Sequence, residues 1–302
     1  MERLVECVPN FSEGRREEVI VSIASEIEAI QGVILLDRHM DVDHNRSVLT
    51  FIAPPQEAKE GAFLAIKKAS ELINMNKHKG EHPRIGATDV VPFVPLRNTT
   101  IVECVILVEE LGEQVGRELG IPVYLYGDAA RTPERKDLAK IRRGEFEGLK
   151  MELGKNPERI PDYGPNRIHE TAGATVIGAR PFLVAYNVNL LTEDIDIAKR
   201  IARSIRESSG GFKSVKAMGF KLHRRGMVQV SMNLVNYTHT SIKTVFKEIN
   251  RQAEALGVEI AESEIVGLVP RDALLGTTPE QLKVVHFSED KIIENRIKRA
   301  TI

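Results

Sequence analysis

Hydrophobic and polar positions along the chain follow two spacings, and the two alternate in a regular order. Short apolar runs, several of them rich in β-branched residues, predict strands at residues 4–8, 33–36, 47–52 and 90–94. Apolar residues that recur every three or four positions predict amphipathic helices at residues 20–30 and 58–73. The N-terminal part therefore has the predicted order β-α-β-β-α-β.

The C-terminal part repeats this order. Strands are predicted at residues 182–190, 215–220, 227–234 and 258–269. Helical apolar faces lie between them, at residues 195–205 and 242–249. We therefore predict an α/β (α+β) protein with two ferredoxin-like subdomains, each a sheet with helices on one face. The loop at residues 157–173, rich in Pro and Gly, is the predicted joint between a subdomain at 1–172 and one at 173–302.

Composition excludes several classes of protein. The chain has 302 residues, of which 42% are hydrophobic, and 42 basic against 43 acidic side chains give a net charge of −1. This balance disfavours both a disordered tail and a nucleic-acid binder driven by positive charge. Two cysteines make no disulfide framework, and no apolar run approaches the roughly 20 residues of a membrane span. We expect a soluble cytoplasmic protein with neither a nucleic-acid nor a membrane partner.

The densest group of reactive side chains lies at residues 77–86, in a segment with Gly and Pro that follows a predicted helix. His78 and His82 flank the carboxylate of Glu81 there, and Arg84 follows. Histidine exchanges protons near neutral pH because its ordinary pKa is about 6.5. Functional residues often lie on loops held by a rigid scaffold. The segment is therefore either an acid–base and anion-binding site or a solvated charged loop.

A second polar cluster, at residues 37–46, lies between two predicted strands. Its Asp and His side chains are of the kind that binds divalent ions. Their spacing matches no known zinc or calcium loop, because Arg46 stands where an EF-hand pattern needs glycine. The alternative is a hydrogen-bonded turn that orders the strand ends. Asn10, just past the first strand, could present its amide to a ligand, and the nearby Ser12 could cap a helix.

Signatures of several common sites are absent from the sequence. The chain has no Walker loop, no G-x-G-x-x-G, no G-x-S-x-G and no H-E-x-x-H motif. The corresponding uses of ATP, dinucleotides, a serine nucleophile or zinc are therefore unsupported. Cys7 and Cys104 fall within a predicted strand and a predicted helix, which is more typical of core residues than of nucleophiles. We expect no metal cofactor.

Seven longer motifs together resemble one known family. They are LVECVPNFSEG (4–14), DHNRSVLTF (43–51), HKGEHPRIGATDVVPFVP (78–95), PVYLYGDAAR (122–131), PDYGP (161–165), GATVIGARPFLVAYNVNL (173–190) and VGLVP (266–270). The set resembles glutamate formiminotransferase, which in animals is the N-terminal half of the bifunctional formiminotransferase–cyclodeaminase. The resemblance covers residues 4 to about 275, and the chain length implies the stand-alone transferase without a cyclodeaminase domain.

The resemblance implies a fold, a reaction and two sets of site residues. The fold is two α/β subdomains whose sheets face each other across a substrate groove, with helices outside, in a homodimer. The reaction moves the formimino group of N-formimino-L-glutamate to tetrahydrofolate, a co-substrate, in histidine degradation, giving 5-formiminotetrahydrofolate and L-glutamate. The family's catalytic histidine corresponds to His82. Its folate-contacting loop corresponds to Gly164, Pro165, Asn166, Arg167, His169, Thr171 and Gly173.

That chemistry needs the side chains that the two polar clusters supply. The attacking amine must lose a proton and the leaving nitrogen must gain one, and a single histidine can do both in turn. A carboxylate near the ring would fix its tautomer, and cations would bind the glutamyl carboxylates of both substrates. The candidate carboxylates are Asp37, Asp41 and Glu81. The candidate cations are Arg46, Arg84, Lys77 and Lys79. Asn10 and His39 are further substrate-binding candidates.

Three other functions stay open at this point. The same site could transfer a formyl group between formylglutamate and tetrahydrofolate, because the two donors differ only by NH against O. A folate-binding protein of this fold without turnover would not need a proton-transferring His82. A metal-dependent hydrolase would use some of the side chains His39, Asp41, His44, His78 and His82.

Overall fold

The structure is a computed structural model that describes residues 3–42, 44–80, 82–222 and 225–300. These residues form two compact units that divide between Arg180 and Pro181. Within the described ranges the first unit holds a seven-stranded sheet, the second a four-stranded sheet, and the chain has eight α-helices. The mixed α/β class that the sequence predicts is confirmed. None of the described helices has the length and hydropathy of a membrane span.

The first unit begins with the predicted β-α-β-β-α-β order and then extends it. Its strands are β1 (Leu4–Cys7), β2 (Asn10–Phe11), β3 (Ile34–Asp41), β4 (Arg46–Ala53), β5 (Thr88–Arg97), β6 (Val123–Gly127) and β7 (Thr175–Ala179). Its helices are α1 (Glu17–Glu28), α2 (Pro55–Leu72), α3 (Ile101–Gln114), α4 (Leu138–Ile141) and α5 (Glu145–Glu152). Strands β1 and β2 both pair with β4 and β5 and act as two halves of one central strand.

Strand β3 is longer than the sequence pattern predicts. The apolar run suggested a strand only at residues 33–36, with a polar turn from Asp37 to Arg46. In the structure β3 continues to Asp41 and pairs with β4 along its length, so only residues 42–45 separate the two strands. Because β3 is an edge strand whose outer residues face solvent, it does not need the apolar alternation on which the prediction relied.

Strand β7 belongs to the first unit, and so does the segment that precedes it. It pairs in parallel with β5 and with β6, so it completes the first sheet. The loop at 157–173, where the sequence predicts the joint, is thus followed by a strand of the first unit. The predicted division at 172/173 falls ahead of β7, and the compact units divide after it, at 180/181.

Helices α1, α2 and α3 bury one face each in the core of the first unit. Ile20, Ile23 and Ile27 of α1 are fully buried, as their helical spacing predicts. Helix α3 starts with a capping box in which the Thr100 side chain accepts from the backbone N–H of Glu103, whose carboxylate accepts from the backbone of Thr100. These helices hold the strands whose ends carry the polar clusters.

The backbone that follows the His82 segment is locked to the backbone ahead of β7. Ala87 N–H donates to the Ala172 carbonyl over 2.8 Å, and Ala174 N–H donates to the Ile85 carbonyl over 3.0 Å. Gly86 lies between these two bonds. A Cβ at this glycine would lie 1.8 Å from the Ala174 carbonyl oxygen, so the close approach requires glycine.

The second unit has the β-α-β-β-α-β order that the sequence predicts. Its elements are β8 (Val184–Leu190), α6 (Ile195–Ile205), β9 (Val215–Leu222), β10 (Met227–Leu234), α7 (Ile242–Ala255), β11 (Ile260–Val266) and a further helix, α8 (Ile293–Ala300). The strands are antiparallel in the order β11-β8-β10-β9. That the two sheets face each other stays a prediction from the family resemblance.

The contact at Gly86 gives a stability prediction. We expect Gly86→Ala to lower the free energy of unfolding by about 1–3 kcal/mol or more, because the new methyl group overlaps a backbone oxygen that cannot move alone. Gly148→Ala is the matched control. Gly148 lies within α5 with open space around a Cβ, so alanine there should raise stability by about 0.5–1 kcal/mol. Urea unfolding of both variants tests this, and equal effects of the two would contradict it.

Candidate active site

His82 lies in a small cleft where three segments of the first unit meet. One segment follows β2, the second joins β3 to β4, and the third precedes β5. The cleft has an internal volume of about 10 Å³ and is lined by Ser12, His44, Asn45, Arg46, His78, His82, Arg84 and Asp89. The structure thus brings together side chains from both polar clusters that the sequence singles out.

The surroundings of His82 keep its ring uncharged. Burial lowers the pKa of the ring to about 2, and the positive charges of Arg46 and Arg142 act in the same direction, as does His44. A backbone hydrogen bond at Pro83 acts weakly against them. At neutral pH the His82 imidazole is therefore neutral, and one ring nitrogen has a lone pair available for a proton.

Arg46 supplies the cation next to this ring. Its Nη2 donates to the side-chain oxygen of Asn10, so the sequence prediction that both residues belong to the site is consistent with their contact. Its Nε is buried and has no hydrogen-bond partner among the described residues. Burial and the nearby Arg142 lower the pKa of Arg46 to about 10, and the side chain remains charged at neutral pH. A buried charged donor without a partner points to an acceptor on a ligand.

Arg142 and Asp89 belong to the site and were missed by sequence reasoning. Arg142, just after α4, donates through Nη2 to the carboxylate of Asp89. The other oxygen of Asp89 accepts from Ile85 N–H over 2.9 Å, so the pair fixes the segment behind His82. Asp89 stands near the start of an otherwise apolar run, and a single charge in a buried strand was the available signal.

Arg84, a candidate for binding a substrate carboxylate, has a guanidinium that carboxylates of the protein already occupy. Its two terminal nitrogens donate to both oxygens of Glu147, at 2.7 and 2.8 Å, and to Glu145 at 2.7 Å. Its Nε donates to Nδ1 of His78 over 3.2 Å. Arg84 is buried and ties the His82 segment to α5. Substrate binding by Arg84 therefore loses its physical basis, since its donors are already engaged.

His78 is held as a structural link and not as a second reacting group. Its Nδ1 accepts from Arg84, and its Nε2 contacts the Asn45 carbonyl at 2.9 Å, which makes Nε2 the protonated nitrogen. Burial lowers the pKa of this ring, so the neutral form persists at neutral pH. Both ring nitrogens are occupied by the fold.

The carboxylate candidates near His82 have different positions. Asp41 bonds to Nδ1 of His44 over 2.6 Å and accepts from the His44 backbone N–H over 2.9 Å. The rings of His44 and His82 lie edge to face, with centroids 6.4 Å apart. Asp37 and His39 lie on β3, and within the described part of the chain neither forms a hydrogen bond with His82. Glu81 lies outside the described residues.

Asn45 joins the three segments that form the cleft. Its side chain accepts from Gly14 N–H over 2.9 Å and donates to the Lys79 carbonyl over 2.9 Å. Its backbone has a φ of 48°, in the left-handed region that asparagine tolerates better than most residues. Sequence reasoning missed this role, although an asparagine next to a tight turn is a usual signal for such a conformation.

The predicted folate loop, residues 164–173, packs close behind the His82 segment. Gly164 and Gly173 have φ values of 81° and 76°, and a Cβ at either would lie 2.6 or 2.4 Å from a backbone oxygen. Both glycines are therefore needed by the fold. Asn166 and Arg167 are exposed, while Pro165, His169 and Thr171 are half-buried. The Nδ1 of His169 accepts from the Ala172 N–H over 3.0 Å, which closes a tight turn.

The described side chains do not form a recognisable metal site. Among residues 3–300 that are described, no three or more His, Cys, Asp or Glu side chains are grouped so that they could hold a metal ion. The proposed metal-dependent hydrolase would need such a group, and His78 is already engaged on both nitrogens. Metal independence stays a prediction, and activity that survives exhaustive treatment with a chelator would support it.

Comparison with known proteins identifies similar chains along the full length. Two family models match: "Formiminotransferase domain, N-terminal subdomain" at residues 4–180 and "Formiminotransferase domain" at residues 185–301. The chain is 48% identical over 298 residues to a glutamate formimidoyltransferase of Streptococcus pyogenes, covering 98% of this chain and 99% of that protein. A glutamate formimidoyltransferase of Thermoplasma acidophilum is also 48% identical, with 98% of each chain covered. The formimidoyltransferase-cyclodeaminase of Mus musculus is 46% identical, over 91% of this chain and 52% of that protein.

The lowered pKa of His82 predicts how the protein responds to pH. The His82 ring should stay neutral from pH 8 down to at least pH 5, and proton NMR of the ring, assigned with a His82→Gln variant, should detect no titration there. Below about pH 6.5 the His82 ring binds a proton in the unfolded chain but stays unprotonated in the folded protein. Acidification therefore lowers the contribution of His82 to the free energy of unfolding. A His82 midpoint near 6.5 would contradict the electrostatics described above.

Proposed function

The chain belongs to the formiminotransferase family, and we propose that it transfers the formimino group of N-formimino-L-glutamate to tetrahydrofolate. The products are 5-formiminotetrahydrofolate and L-glutamate, in a step of histidine degradation. Two relatives named glutamate formimidoyltransferase align with almost the whole chain at 48% identity, which supports this activity over the alternatives. Tetrahydrofolate is then a co-substrate and not a resident cofactor.

The single observation that carries the proposal is the neutral His82 beside the unpartnered Nε of Arg46. Attack by the N5 amine of tetrahydrofolate on the amidine carbon requires a base for the N5 proton. A neutral imidazole in a low-dielectric cleft accepts that proton without first losing one to water. The adjacent cation provides the matching binding group for an anionic donor.

The two substrates are proposed to occupy different places. The internal volume of about 10 Å³ in the cleft holds roughly one water molecule, so the cleft encloses neither substrate. We propose that the formimino group and the adjacent glutamate atoms lie at the mouth of the cleft, where Arg46 with Asn10 binds a glutamate carboxylate. The exposed Lys77 and Lys79 attract the second anionic substrate at longer range.

The larger pterin and its tail are proposed to contact the loop at 164–173, which packs against the segment carrying His82. Its exposed Asn166 and Arg167 offer hydrogen-bond donors to an anionic, heteroatom-rich ligand.

The strand orders of both units, β3-β4-(β1, β2)-β5 and β11-β8-β10-β9, support two ferredoxin-like subdomains. A homodimer is expected from the family resemblance, and light scattering of the purified protein would measure it.

Turnover of the purified protein tests the reaction itself. We expect 5-formiminotetrahydrofolate from formiminoglutamate and tetrahydrofolate, and a much slower or absent reaction with formylglutamate. His82→Asn should lower kcat by about 10²- to 10⁴-fold, the contribution of a general acid–base group, with little change in thermal stability. The exposed His286→Asn is the matched control and should retain full activity. Wild-type kcat in His82→Asn, or preference for formylglutamate, would contradict the proposal.

The folate loop is better tested at Arg167 than at its glycines, because a substitution at Gly164 or Gly173 would disturb the backbone itself. Arg167→Ala should raise the KM for tetrahydrofolate about tenfold or more, corresponding to one charge-assisted hydrogen bond of roughly 1.5–3 kcal/mol. The KM for formiminoglutamate should change little. The control is the exposed Arg203→Ala on α6. Equal effects on both substrates, or none, would remove the loop from folate binding.

A further inference from the structure

We propose that His44, supported by Asp41, is a second catalytic histidine that protonates the leaving nitrogen of glutamate while His82 removes the proton from N5. The inference rests on the proposed function and divides its proton transfers between two rings. It replaces the expectation that one histidine performs both transfers in turn. Asp41 is a positioning residue, since it acts through His44.

The hydrogen-bond geometry of His44 suits a proton donor. Its Nδ1 lies 2.6 Å from a carboxylate oxygen of Asp41, so Nδ1–H donates to Asp41 and the tautomer is fixed. The other nitrogen, Nε2, is then the atom that carries or releases the second proton. The ring lines the same cleft as His82, at a centroid distance of 6.4 Å. A reacting carbon at the mouth of the cleft, beside both rings, would have a base and an acid within reach.

The charges around the two rings differ in sign. His82 faces Arg46 from the start of β4 and Arg142 from the end of α4, and both oppose a positive charge on it. His44 has the Asp41 carboxylate from the end of β3 in direct contact. Arg15 approaches the same turn and donates to the Val42 carbonyl, while Asp43 lies outside the described residues. Two titratable groups in opposed environments are the usual arrangement for a separate base and acid.

The proton balance closes within this pair. The N5–C bond forms as N5 gives its proton to His82, and the bond between carbon and the glutamate nitrogen breaks as that nitrogen takes a proton from His44 Nε2. His82 is then positively charged between two guanidinium groups, where that charge is unfavourable. Its proton returns to the neutral His44 through solvent or directly, and both rings regain their starting forms. No oxidant, metal or further reactant is required.

A structural role for His44 is the competing explanation. Asp41 also accepts from the His44 backbone N–H over 2.9 Å, so the pair closes the turn between β3 and β4. Asp41→Asn keeps an oxygen for that backbone contact, and it removes both the charge and the oxygen that accepts from His44 Nδ1–H. His44→Gln keeps a polar side chain in the turn and removes the transferable proton. Melting curves of both variants check that the turn is intact.

The test compares donors whose leaving groups differ in their need for a proton. With formiminoglutamate we expect His44→Gln to lower kcat by about 10²-fold or more, and Asp41→Asn to lower it by a smaller factor. With N-formimino-4-aminobenzoate, whose weakly basic arylamine departs without prior protonation, the deficit of His44→Gln should shrink at least tenfold. The deficit of His82→Asn should not shrink, because N5 must still lose its proton. Added imidazole should partly restore a His44→Ala variant.

The outcomes separate this inference from the proposed function. Wild-type turnover together with an unchanged kcat in His44→Gln, or a deficit equal for both donors, would overturn the role of His44 alone. An absence of wild-type turnover with formiminoglutamate would overturn both. The exposed His286→Asn variant should behave as wild type with either donor.

Discussion

The close approach of three backbone segments is the constraint on which the site depends. A Cβ at Gly14 would lie 2.1 Å from the Asp41 carbonyl oxygen, and one at Gly80 would lie 2.2 Å from the His44 carbonyl oxygen. Only glycine permits these contacts. They press the segment after β2 and the segment carrying His82 against the β3–β4 turn. The side chain of Asn45 bonds to both segments and fixes the distance between them.

The net charge of the cleft that these segments form depends on which of its arginines pair with carboxylates. Arg84 is neutralised by Glu145 and Glu147, and Arg142 is paired with Asp89. Arg46 bonds to the neutral amide of Asn10, and among the described residues no carboxylate forms an ion pair with it, although Asp89 and Asp41 act on it from further away. The field at His82 is therefore positive, although the chain as a whole is almost neutral. A cleft with that field attracts anions and keeps the nearby imidazole unprotonated at neutral pH.

Much of the fold followed from the sequence because periodicity reports burial directly, as for Ile20, Ile23 and Ile27 on α1. The polar half of β3 was missed because an edge strand obeys no apolar pattern. His82 was placed in the site by its histidine-rich segment and by the family resemblance, and its role stays a proposal. The ion pairs were not predictable: Glu147 lies 63 residues from Arg84, and Asp89 lies 53 from Arg142. Local composition therefore made Arg84 a candidate for substrate binding, whereas carboxylates distant in the sequence occupy it.

The cost of the unpartnered arginine connects the fold to the reaction. Leaving a buried donor without an acceptor costs about 1–3 kcal/mol, and more for a charged group. The Nε of Arg46 is in this state, in the same guanidinium group whose Nη2 donates to Asn10. A ligand carboxylate that reaches this donor would accept its hydrogen bond and remove the cost. Part of the binding free energy would then come from satisfying a donor that is left unpaired in the folded protein. Filling the same space with an apolar residue would make the protein more stable and would leave nothing to hold an anionic donor against a neutral His82. The unpaired Nε of Arg46 is thus explained only if a bound ligand supplies its acceptor.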